Sequence, residues 1–90
     1  METMYVKIED AAVMIGLSPS TVKKYYLLIE EKGYAFKRSK QGRVLFGEKD
    51  IEMLQRVIHI KNQPGKSVQD AVDEVVTSIQ AYVERMRHGF

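Results

Sequence analysis

Ser18-Pro19-Ser20-Thr21, followed directly by Lys23-Lys24-Tyr25, gathers short hydroxyl side chains and two ammonium groups into one stretch of chain. Hydroxyls on short stems let a backbone come close to a polyanion and still donate to phosphate or to base edges. Lysines add longer cationic reach. A second group follows, with Arg38, Lys40, Gln41 and Arg43 crowded around a glycine. Both sets suit the binding of a charged polymer rather than bond-making chemistry. His59 and His88 are far apart in the chain, and there is no H-x-x-x-H pair, glycine-rich phosphate loop or G-x-S-x-G. The acids Glu30-Glu31 and Glu9-Asp10 are sequence neighbours, so on helices they splay apart and cannot share a substrate. With no cysteine there is no thiolate ligand and no disulfide. No enzymatic activity, metal, cofactor or small-molecule ligand is expected.

The charge is uneven along the chain. Residues 1–17 carry one base and three acids; residues 18–49 carry eight bases and three acids; residues 50–90 carry five bases and six acids. The net charge of +2 therefore hides a basic middle third between two mildly acidic flanks. That distribution points to a polyanion-binding face, although a solvated lysine-rich surface has the same signature. At 44% hydrophobic and 29% charged residues, 90 positions suffice for one small folded domain. The N-terminus lacks a signal-peptide profile, and no apolar run approaches the ~18 residues of a membrane span. A cytoplasmic bacterial protein associated with nucleoid or plasmid, with no membrane contact, is the expectation.

The spacing predicts elements that would position both groups. Ile8, Ala11, Ala12 and Ile15 form a helical stripe that ends at Gly16. Ser18 is a good helix cap, and Pro19 fits the first helical position. Val22, Tyr25, Tyr26 and Ile29 carry the apolar face of this second helix to about Lys32-Gly33. Tyr34-Ala35-Phe36 and Val44-Leu45-Phe46 alternate as two short strands around a Ser39–Gly42 turn, with Arg38, Lys40, Gln41 and Arg43 at its tip. A further helix runs from about Glu48 to Asn62 and stops before Gln63-Pro64-Gly65. The last helix opens at Ser67, with Asp70 three residues on.

Two helices joined by Gly16-Leu17-Ser18 have helix-turn-helix spacing, with Leu17 plugging the corner, and the hairpin that follows reads as a wing. The fold class is mainly α with a small β-hairpin: a winged helix-turn-helix over residues 1–66 and a C-terminal helix over 67–90. In such a domain the second helix enters the major groove by its N-terminal end. The DNA-binding residues are then Ser18, Ser20, Thr21, Lys23, Lys24 and Tyr25, with Arg38, Lys40, Gln41 and Arg43 on the backbone or minor groove. In the last helix Val68, Val72, Val75, Ile79, Tyr82 and Met86 follow a heptad seam. Its first half suits packing on the domain itself. Val75, Ile79, Tyr82 and Met86 are the expected contacts with a second copy.

The assembled pattern resembles the DNA-binding domain of the MerR superfamily over about residues 4 to 76. The matching positions are Tyr5-Val6-Lys7-Ile8, Ala12, Gly16 through Tyr25, Gly42-Arg43, Phe46 and Asp50-Ile51. The resemblance implies contacts to phosphates or bases by Thr21, Lys23, Tyr25 and Arg43. Lys23 stands where arginine is usual, and Lys24 where many members have a tyrosine. With no effector domain or metal-sensing cysteine, the chain looks more like the branch in which such a domain heads a coiled coil, as in the chromosome-anchoring RacA and single-protein plasmid partition factors. The expected function is site-specific binding of double-stranded DNA by a homodimer, as a partition or chromosome-anchoring adaptor or as a transcriptional regulator. A protein-interaction module acting through the C-terminal helix is the contrasting possibility.

Overall fold

A computed structural model of the chain describes residues 4–88, with side-chain surroundings described for residues 4–81. The order of elements is α1 (Ile8–Ile15), α2 (Pro19–Glu31), β1 (Lys37–Arg38), β2 (Val44–Leu45), α3 (Glu48–Lys61) and α4 (Val68–His88). This is the mainly helical winged helix-turn-helix the sequence predicts.

Small residues set the first corner. Ala11 and Ala12 are fully buried, which lets α1 lie close on α2. Gly16 then adopts φ 85°, a left-handed conformation that a side chain disfavours. The N–H groups of Gly16 and Leu17 both donate to the Ala12 carbonyl, at 2.8 and 3.0 Å, and Leu17 packs against the core. The Ser18 hydroxyl accepts the Thr21 N–H at 3.3 Å and lies 2.9 Å from the Thr21 hydroxyl, closing the N-terminus of α2. Val22, Tyr25, Tyr26 and Ile29 turn inward, as their spacing requires.

The wing departs from the expected register. Lys37 pairs with Leu45 and Arg38 with Val44 in an antiparallel ladder, so β1 begins only after Phe36. Phe46 exchanges two 2.9 Å backbone hydrogen bonds with Val6. Tyr34 and Phe36 instead enter an aromatic cluster with Tyr26 and Phe46, with ring centroids 5.0 to 5.8 Å apart. Their alternation reports one-sided burial, and β pairing was only one way to achieve it.

The remaining helices close the core. The Asp50 carboxylate, buried in the first turn of α3, accepts the Gly47 N–H at 2.8 Å and the Tyr34 hydroxyl at 2.8 Å. Burial, reinforced by the bond to Asp50, pushes the Tyr34 hydroxyl up to about 12. Ser67 and Asp70 form a full reciprocal capping box at the start of α4, each backbone N–H donating to the other side chain at 3.1 Å. Those bonds from Ser67 hold the Asp70 carboxyl below the usual carboxylate range. Ala71, Val72, Val75 and Val76 seat α4 in the same core as α1, α2 and α3. Lys32 of the α2 C-cap reaches Asp73 at 2.8 Å.

The position of α4 corrects the expected dimer seam at Val75. That side chain is 1% exposed inside its own domain, so it has no surface to offer a second copy. Ile79 is partly buried against the same core. A 3–4 apolar spacing makes a stripe for any partner, and α3 is the near one. Tyr82 and Met86 lie outside the residues whose side chains are described. Among the described residues, no helix is long and apolar enough to cross a membrane.

Candidate nucleic-acid interface

The exposed side of α2 is set by its buried stripe. With Val22, Tyr26 and Ile29 inward, Ser20, Lys23 and Lys24 face solvent. At 3.6 residues per turn, Lys23 and Thr21 lie on opposite flanks of the helix. Thr21 is half-buried and its hydroxyl is shared with the cap residue Ser18. Lys23 leans toward the wing. A surface concavity of about 400 Å³ is lined by Lys7, Lys23, Tyr26, Arg38, Gly42 and Arg43, together with the acid Glu9. Cations from the α1 boundary, from α2 and from the wing thus converge on one hollow, although they come from distant points of the sequence.

The wing tip is a tight turn. Ser39 N–H donates to the Arg43 carbonyl at 2.8 Å, Gly42 N–H donates to the Ser39 carbonyl at 2.9 Å, and Arg43 N–H donates to the Ser39 hydroxyl at 3.2 Å. Gly42 sits at φ 84°, which the turn needs and a β-carbon would resist. Lys40 and Gln41 are exposed at its apex. Lys7, Ser39, Gln41, Arg43 and Leu45 line a second concavity of about 510 Å³. Arg43 and Lys7 therefore border both hollows.

Two of the expected contacts have partners within the chain. Tyr25 is 2% exposed, and its hydroxyl accepts from Lys61 Nζ at 2.9 Å. It shares the inward stripe with Val22 and Ile29, so its ring is core and its polar end is already satisfied. Tyr26, also mostly buried, is the tyrosine whose edge reaches the basic hollow. Arg38 is not at the hairpin tip. It lies in β1, and its guanidinium turns back to α2, where Nη2 donates to both Glu30 carboxylate oxygens at 2.8 and 2.9 Å.

Lys7 is not among the binding residues that the sequence predicts. It is the one base in an acidic N-terminal segment, and only the backbone pairing of Val6 with Phe46 brings it beside the wing. Lys37, whose ammonium lies 5.0 Å from the centroid of the Tyr5 ring, is placed there by the same pairing.

No curated protein matches the chain significantly. The family model described as MerR HTH family regulatory protein matches residues 6–75, from the bridge residue Val6 through the buried part of α4. That span holds the helix-turn-helix, the wing and the two helices that support them. The chain therefore belongs to the MerR helix-turn-helix family of regulatory proteins, whose domain binds double-stranded DNA.

Proposed function

We propose that the duplex is read by the N-terminal half of α2 and clamped by the wing. Ser20, Lys23 and Lys24 enter the major groove, with the hydroxyls of Ser18 and Thr21 at the helix end beside a phosphate. Arg43, Lys40 and Gln41 lie along the backbone toward the adjacent minor groove. The single observation that carries this reading is that Lys23 and Arg43 line one concavity, so a strand can meet both at once.

A homodimer formed through the distal part of α4 fits the same reading. The helix runs on to His88, well past Val76, the last buried residue of α4 among those whose side chains are described, and the heptad spacing continues at Tyr82 and Met86. Two copies would present two α2 helices to a two-fold related site. The family match with regulatory proteins supports transcriptional regulation. The length of α4 and the heptad spacing in its distal half support an adaptor that heads a coiled coil, as in partition or chromosome anchoring. Selecting bound fragments from random duplex DNA and mapping the recovered sequence separates the two: a clustered array of sites supports partition, and scattered promoter palindromes support regulation. Absence of any enrichment, with no salt-dependent affinity, contradicts DNA recognition by this surface and favours a protein-interaction module.

A further inference from the structure

We propose that Glu30 and Arg38 form a latch that holds the wing at a fixed angle to α2, making Arg38 a positioning residue for Arg43 rather than a phosphate contact. The inference rests on the DNA-binding reading above and adds a role for Glu30, an acid on the border of a basic face. The β1–β2 ladder has only two residue pairs, and both residues of β1 are exposed. So short a ribbon is marginal alone and takes its orientation from what it touches. Arg38 supplies such a contact. Its Nη2 bridges both oxygens of Glu30 at 2.8 and 2.9 Å, and its guanidinium carbon stands 5.8 Å from the centroid of the Tyr26 ring. Tyr26 is itself packed edge-on against Phe36 and Phe46, one on each flank of the wing. The latch therefore joins helix, ribbon and aromatic cluster.

Charge leads to the same assignment. An Arg38 neutralised by Glu30 releases few counterions from DNA, whereas Lys23 and Arg43 line the same hollow without an ion pair to either of them among the described residues. Isolated surface ion pairs contribute little to stability, so the effect of this one falls on wing geometry more than on folding.

The test uses the full chain and the duplex recovered by selection. Affinity is measured by fluorescence anisotropy across a salt series for wild type, E30Q, R38M and the exchanged pair E30R/R38E, with thermal melts to confirm folding. E30Q and R38M should each weaken binding by roughly threefold with the salt slope unchanged, since no phosphate contact is lost. The exchanged pair should recover most of the loss, because it restores the latch while moving the cation to α2. In the free protein, amide exchange at Ser39 and Gly42 should quicken several-fold in E30Q. Tighter binding and a steeper slope in E30Q would mean that Glu30 competes with phosphate for Arg38, and would overturn the proposal. So would unchanged binding in E30Q, or an exchanged pair as weak as R38M. A wild type without salt-dependent binding sinks the DNA reading instead, and the exchange measurement then still decides whether the latch exists.

Discussion

Lys23 of α2 and Arg43 at the wing line the same concavity, although a whole helix end and a hairpin separate them in sequence. Their proximity depends on the aromatic cluster beneath the wing and on the Val6–Phe46 bridge beside it. Both cations should therefore act on one DNA strand. Changing Lys23 or Arg43 to alanine should each weaken binding by roughly tenfold and lower the log–log salt slope by about one. Affinity measured at four or five salt concentrations checks this, and an unaltered slope in both variants would contradict it.

Tyr25 separates structural from recognition roles on the same helix. Removing its hydroxyl in Y25F should cost about 1 kcal/mol of stability, because Lys61 loses its partner, while DNA affinity stays within about twofold of wild type. Denaturant melts and anisotropy on the same preparation test it. A large affinity loss without loss of stability would put Tyr25 back at the interface.

Tyr34 gives the fold an alkaline limit. Its hydroxyl, raised to about 12 from the ordinary 10, stays protonated in the fold so that it can donate to Asp50. The unfolded chain releases that proton first as pH rises. The contribution is therefore fully present below pH 10 and is lost between 10 and about 12. Melting wild type and Y34F from pH 9 to 12 isolates the effect from the lysines common to both. The gap between them should shrink across that window, and a constant gap would contradict the assignment.

The corner between α1 and α2 depends on one backbone conformation. A β-carbon added at Gly16 meets no atom within 4 Å, so G16A should cost only the left-handed backbone penalty, about 1 kcal/mol. A stability loss in denaturant melts of several times that amount would show that the corner lacks the room described.

Self-association through the end of α4 is tested by a chain ended at Ala81, which keeps Ile79 and the core contacts. Sedimentation should show a dimer for the whole chain and a monomer for the shortened one. A monomer in both cases removes the dimer proposal and leaves the DNA face untouched.

Much of the architecture was readable because local signals agreed with global needs. The Ile8–Ile15 stripe states a helix by its spacing, and the Ser18 cap with Pro19 and the Ser67–Asp70 box each state a helix start in side-chain chemistry that acts within one turn. What was misplaced depended on contacts between distant segments. Apolar spacing marked Tyr25 and Val75 as lying on a face, yet only the packed structure says which neighbour covers it. Tyr34 and Phe36 alternate like a strand but spend that alternation on aromatic packing. Lys7 and Glu30 were invisible as site residues because one is placed by a strand pairing and the other by an arginine eight positions away.

The most direct measurement is the salt dependence of duplex binding for wild type and for the double variant K23A/R43A. The account requires wild-type affinity to fall by orders of magnitude between ~50 and ~200 mM salt, and the double variant to bind weakly with a slope lower by about two. Equal affinity and equal slope in the two proteins, both stably folded, would show that the hollow between α2 and the wing is not where DNA binds.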